Sequence, residues 1–205
     1  MNLFDYDATL NLLPCDGEVY YFGSILTHRD SEHYLNSLLN TIEWSNDKVK
    51  IYGKEITTKR KVAWYGDSNY AYTYSNVTKH AKTWTKELLE LKTIVEKLTK
   101  TKYNSCLLNL YNNGDEAMSW HSDDEKSLGI NTNIASLSFG AERKFSLKHK
   151  TSKQTVSLIL ESGSLLVMKG ETQTNWAHCL PKMKNIDTPR VNLTFRTYID
   201  FKNDI

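Results

Sequence analysis

Residues 190 to 196, Arg-Val-Asn-Leu-Thr-Phe-Arg, alternate polar and apolar side chains at every step. A β-strand turns successive side chains to opposite faces. This segment therefore puts Arg190, Asn192, Thr194 and Arg196 on one face and Val191, Leu193 and Phe195 on the other. The apolar face needs a core. The polar face carries two guanidinium groups, which are costly to bury unless they meet anions. A solvated outer face would satisfy the pattern, and so would a strand lining a cavity that receives an anionic ligand.

The rest of the carboxy-terminal half supplies strands for such a segment to pair with. Residues 105–111 (SCLLNLY), 133–140 (NIASLSFG), 144–149 (KFSLKH), 155–160 (TVSLIL) and 164–170 (SLLVMKG) are short, rich in apolar and β-branched residues and separated by turn formers, and the last strand extends over 190–199. Two helices precede them. Thr27 can cap a helix through His33, Leu35, Leu38, Leu39 and Ile42, and Leu88, Leu91, Ile94, Val95 and Leu98 mark a second helix over about 80–99. Helices followed by strands, without repeated βα alternation, predict a mainly β fold with flanking helices (α+β), built as an antiparallel barrel or jelly roll. With 205 residues, three prolines and no low-complexity tract, the chain is expected to form one domain over 1–205.

The formal charge of +2 does not announce a nucleic-acid binder, but it hides two basic segments. Residues 46–62 carry Lys48, Lys50, Lys54, Lys59, Arg60 and Lys61 against Asp47 and Glu55, and residues 143–153 carry Arg143, Lys144, Lys148, Lys150 and Lys153 with no acid. Cys15, Cys106 and Cys179 form an odd set without CxxC spacing, which points away from a disulfide framework and toward a reducing compartment. The amino terminus lacks a signal-peptide pattern and no apolar run reaches 18 residues, so a cytoplasmic protein without membrane association is expected.

His121 and Asp123 are one residue apart, so in an extended segment both project to one face about 6.5–7 Å apart at Cα. His178, in NWAHCLP after an apolar strand, can complete a set of two imidazoles and one carboxylate. That set on one face of an octahedral ion is the facial triad of non-haem iron(II) oxygenases, with positions left open for a co-substrate and O₂. A dicarboxylate co-substrate would also supply anions for the arginines of 190–196.

These residues together resemble the AlkB family of 2-oxoglutarate dioxygenases, in particular its duplex-DNA-repair branch. The resemblance rests on His121-x-Asp123, His178 twelve residues before Arg190, the Arg-x-Asn-x-Thr-x-Arg run, Asn109-Leu-Tyr111, and Trp64-Tyr65-Gly66-Asp67 followed by Tyr72-Thr73-Tyr74-Ser75. It implies a double-stranded β-helix (jelly roll) and Fe(II) held by His121, Asp123 and His178. It further implies 2-oxoglutarate bound by Arg190 with Asn109, Tyr111, Asn192, Thr194 and Arg196. The implied reaction consumes O₂ and 2-oxoglutarate, yields succinate and CO₂, and removes N-methyl groups as formaldehyde from N1-methyladenine and N3-methylcytosine.

The resemblance also marks residues 45–78 as a nucleotide-recognition region. Tyr74 and His121 would sandwich a flipped base, with Tyr72 and Thr73 nearby and Asp124 at the base edge. The segment Val49-Lys50-Ile51-Tyr52-Gly53-Lys54 would wedge its Tyr52-Gly53 tip into a base stack while lysines hold phosphates. Two departures stand out: Lys59 occupies the place of a proline before Arg60-Lys61, and the basic loop at Lys148–Lys153 is short. The expected partner is alkylated DNA, single- or double-stranded, bound by a monomer that would be nuclear in a eukaryote. The alternative is an RNA demethylase of the same fold, which would need no wedge.

Overall fold

The alternating segment 190–196 lies at the centre of the larger of two sheets. A computed structural model describes residues 7–51, 54–74 and 77–199, and of residues 48–51, 54–56, 72–74 and 77–78 it describes the backbone alone. In chain order the strands are β1 (Glu18–Ser24), β2 (Ser45–Ile51), β3 (Lys54–Gly66), β4 (Ala71–Tyr74), β5 (Val77–His80), β6 (Lys82–Thr83), β7 (Ser105–Tyr111), β8 (Met118–His121), β9 (Ile134–Gly140), β10 (Arg143–His149), β11 (Thr155–Leu160), β12 (Ser164–Lys169), β13 (Trp176–Leu180) and β14 (Arg190–Arg196). Helix α1 covers His28–Thr41, α2 Lys86–Thr99, and a single turn, α3, Thr172–Asn175.

The large sheet runs β1-β12-β9-β14-β7-β3-β2, with β6 parallel to β3; the small one runs β11-β10-β13-β8; and β4 and β5 form a separate hairpin. Tyr111, Ile134, Leu166 and Met168 of the large sheet share a core with Phe145, Leu147, Trp176 and Leu180 of the small one, so the two sheets face each other as a jelly roll. A second core fills the outer side of the large sheet, where Leu38 and Ile42 and, from α2, Leu88, Leu91 and Val95 pack on Leu108, Leu137, Val191, Leu193 and Phe195. With Val191, Leu193 and Phe195 turned to the helices, the opposite face of β14 points between the sheets.

Local signals set the boundaries. Thr27 caps α1 by accepting from the Asp30 N–H at 3.1 Å, and Thr85 caps α2 by accepting from Leu88 N–H at 3.3 Å. The second helix therefore begins at Lys86. The residues before it, expected to be helical from about 80, form β5 and β6 instead. The last strand ends at Arg196 rather than 199. Gly140 (φ +83°) ends β9 where a Cβ would come within 2.3 Å of the Pro189 carbonyl, so only glycine lets the chain enter β14 this closely.

The two basic segments are not uniformly solvated. Arg143 is fully buried and donates to the carbonyls of Asn113, Glu116 and Pro181 at 3.2, 2.8 and 2.8 Å, while Arg60 is buried between β2 and β7. No helix among the described residues is long and apolar enough to cross a membrane.

Candidate functional site

β8 ends on His121, and β13 places His178 directly opposite it in register. Their rings meet edge to face, centroids 4.2 Å apart. Asp123 follows on the loop after β8, and ligand atoms of all three side chains lie within 4.8 Å of one another. His121 Nδ1 stands 2.8 Å from the Ser119 carbonyl, which can only accept, so Nδ1 carries the proton. The lone pair is left on Nε2, the atom 3.7 Å from Asp123 Oδ1.

Burial pushes the His178 imidazole down to about 4, against the smaller opposing pull of Asp123, so the ring is neutral near pH 7 and able to ligate. For Asp123 burial acts in the opposite sense, raising the carboxyl, but Arg196, His178 and His121 outweigh it and hold the group below the usual carboxylate range. Arg196 Nη2 donates to Asp123 Oδ2 at 2.6 Å, which leaves Oδ1 for a metal. The Asp123 backbone is fixed as well, its N–H donating to Gln173 Oε1 at 2.9 Å.

Farther along the same face of β14, Arg190 is 2% exposed. Its Nη2 donates to Ser138 Oγ at 3.0 Å and to Asn192 Oδ1 at 2.8 Å. Asn192 Oδ1 also accepts from Ser136 Oγ at 2.9 Å, and Asn192 Nδ2 donates to Thr194 Oγ1 at 3.0 Å. The guanidinium lies 5.5 Å from the Tyr111 ring. Burial lowers the Arg190 pKa to about 10, which still leaves it charged. Among the described residues it has no carboxylate partner, and its buried Nε has no hydrogen-bond partner. Such a group calls for an anion.

The structure thus brings His121, Asp123 and His178 together, and lines Arg190, Asn192, Thr194 and Arg196 along one inward face. Asn109 and Tyr111 pair in register with Asn192 and Arg190. Arg196 sits on Asp123, at the metal end of that face. Asp124 is exposed, its Oδ2 3.9 Å from Lys150 Nζ. Lys54 lies at the start of β3, and Tyr72, Thr73 and Tyr74 on β4, described by their backbones alone. Tyr52 and Gly53 lie outside the described residues.

Four contributors were not apparent from the sequence: Ser136 and Ser138 on β9, Gln173 on α3, and Arg60, which donates through Nη1 to Asn109 Oδ1. The inward alternation of β9 carried a signal for the serines. Gln173 acts across a long sequence separation and carried none, and Arg60 was marked by its basic segment and the Arg60-Lys61 pair but not as a support of Asn109.

A second grouping of potential ligands, Cys15, Asp16 and His149, does not suit a metal. His149 Nδ1 accepts the Ser152 N–H at 2.9 Å, so the proton is on Nε2, which faces Asp16 Oδ2 at 3.3 Å as a donor rather than a lone pair.

Residues 18–196 match the 2OG-Fe(II) oxygenase superfamily. The chain is 40% identical to the DNA oxidative demethylase ALKBH2 of Bos taurus over 157 residues, 73% of this chain and 56% of that protein. It is 45% identical to the alpha-ketoglutarate-dependent dioxygenase alkB homolog 3 of Homo sapiens over 179 residues, 82% of this chain and 62% of that protein. The chain thus spans little more than half the length of these relatives. Its fold is similar to that in the solved structure titled "The structure of OsALKBH1", with a TM-score of 0.62 over 87% of this chain and 97% of that one at 14% identity.

Proposed function

The chain belongs to the 2OG-Fe(II) oxygenase superfamily and to the AlkB family of dioxygenases within it, and we propose that it removes methyl groups from alkylated bases in DNA. The observation that carries the reading is the inward face of β14, where the partly buried Arg196 neutralises Asp123 and the buried Arg190 has no carboxylate partner among the described residues.

In this reading His121 Nε2, Asp123 Oδ1 and His178 would hold Fe(II). Arg190, supported by Ser138 and Asn192, holds the distal carboxylate of 2-oxoglutarate, while Asn109, Tyr111 and Thr194 line the remainder of its pocket. When bound, the iron with 2-oxoglutarate and O₂ supplies the oxidation of an N-methyl group, giving succinate, CO₂ and formaldehyde. The protein's own part is positional. Arg196 and Gln173 keep the Asp123 carboxylate aimed, and Ser119 fixes the His121 tautomer.

The substrate assignment draws support from the relative named a DNA oxidative demethylase and from basic side chains on β3, among them exposed Lys59. A base methylated at its pairing edge is already poorly paired, so turning it out of a duplex costs less than for an intact pair. Residues 45–78 form the recognition region of a single domain over 1–205, with Tyr52, Gly53, Lys54, Tyr72, Thr73 and Tyr74 as its contacts, and Asp124 adds a contact from beside the metal ligands. The test is the mass of an oligonucleotide carrying one N1-methyladenine before and after incubation with Fe(II), ascorbate, 2-oxoglutarate and the protein. Loss of the methyl group from DNA supports the reading. Unchanged DNA beside demethylated RNA of the same sequence overturns it in favour of an RNA substrate.

A further inference from the structure

Asp47 accepts hydrogen bonds from two strands at once, β3 through Arg60 and β5 through Lys79. It stands on β2 where the ladder with β3 breaks: Asn46 pairs with Lys61 and Lys48 with Thr57, which leaves Asp47 alone opposite Thr58, Lys59 and Arg60. Such an irregularity re-aims a side chain. Asp47 Oδ2 accepts from Arg60 Nη2 at 2.6 Å and Oδ1 from Lys79 Nζ at 2.7 Å. Its side chain is 17% exposed and that of Arg60 8%, so the Arg60 pair is less screened than a surface one, while Lys79, at 46%, keeps its pair open to solvent.

Each partner reaches a different part of the molecule. Lys79 belongs to the β4–β5 hairpin, where it is the register partner of Tyr72. Arg60 turns its other terminal nitrogen to Asn109 Oδ1 on β7, and Asn109 is the register partner of Asn192. Because the guanidinium can only donate, it fixes the Asn109 amide with the oxygen toward Arg60 and Nδ2 away from it. Among the described residues that Nδ2 has no acceptor, so it remains available to a ligand oxygen.

We propose that Asp47 is a positioning residue that couples the β4–β5 hairpin to the co-substrate pocket through Lys79 on one side and Arg60 and Asn109 on the other. The proposal rests on the functional reading above, in that it takes the hairpin to bind nucleic acid and the pocket to bind 2-oxoglutarate. A contact that draws the hairpin into one arrangement then orders Arg60 and the Asn109 amide, and the coupling must be reciprocal.

The experiment is a calorimetric titration of 2-oxoglutarate into the Mn(II)-loaded protein, with and without a short oligonucleotide carrying one N1-methyladenine. In the unaltered protein the oligonucleotide tightens 2-oxoglutarate binding by about fivefold or more. Asp47→Asn keeps the shape of the side chain and removes its charge, and Lys79→Gln breaks only the hairpin contact. Both variants still bind 2-oxoglutarate, but the oligonucleotide then changes its affinity by less than about twofold. Equal coupling in Asp47→Asn and the unaltered protein, or none in either while 2-oxoglutarate binds, overturns the proposal alone. Failure of the unaltered protein to bind 2-oxoglutarate overturns the functional reading with it.

Discussion

Arg196 donates to the outer oxygen of Asp123 at 2.6 Å, while the inner oxygen faces His121 at 3.7 Å. The two carboxylate oxygens therefore have separate tasks, one tied to β14 and the other turned toward the two histidines. Arg196→Met removes the largest influence holding the Asp123 carboxyl low and frees it to rotate. Affinity for Mn(II), followed by calorimetry, should fall by about 10- to 100-fold with the secondary structure intact. An unchanged affinity would mean that Arg196 does not support the ligand.

Gln173 acts on the same residue from its backbone side. In Gln173→Leu the buried Asp123 N–H loses its acceptor, at a cost of about 1–3 kcal/mol. We expect the metal-free protein to lose that much stability in urea and Mn(II) binding to weaken together. A loss of stability with full metal affinity would assign Gln173 to the fold alone.

Arg143 offers a different case, a buried cation 5.8 Å behind the Tyr111 ring whose hydrogen-bond partners are carbonyls rather than an anion. It ties the carbonyls of Asn113, Glu116 and Pro181, and its replacement by Met leaves three acceptors to find other donors. The expected cost is about 3 kcal/mol or more, read as a lower urea midpoint, with metal and 2-oxoglutarate affinities unchanged. A substantial loss of 2-oxoglutarate affinity would place Arg143 in the pocket.

Arg190 carries the anion side of the account. Arg190→Met should weaken 2-oxoglutarate binding by about 10- to 100-fold while leaving Mn(II) binding within about twofold, since a buried charge-assisted pair is worth about 1.5–3 kcal/mol. Equal affinity in the variant would show that the co-substrate carboxylate lies elsewhere.

Much of this arrangement was legible where a period could be read. The alternation of 190–196 gave both faces of β14, because one apolar set packs on two helices and one polar set lines the space between sheets. The Thr27 cap marked the start of α1, whereas α2 was expected from about residue 80 because Thr85, which caps it at Lys86, was not read as a cap. β8 and β13 were hidden by brevity, at four and five residues, and by surroundings of mixed polarity, whereas β1, seven residues of EVYYFGS, was simply not read. β3 was obscured by its lysines, which resemble a solvated loop until β7 is seen beside it. The triad was legible from residue types. Its supports were not, because Gln173 lies 50 residues from Asp123 in sequence and Arg60 lies 49 from Asn109. Charge counting also misplaced Arg143 and Arg60, since a sum over a segment does not reveal which guanidinium folds inward.

The most direct test of the account is to quantify formaldehyde and succinate from one reaction on an N1-methyladenine oligonucleotide, with the unaltered protein and with Asp123→Ala. One formaldehyde per methylated base is expected, matched by at least one succinate, and neither product from the variant. Succinate formed without formaldehyde on every methylated DNA offered, or equal turnover by Asp123→Ala, would contradict it.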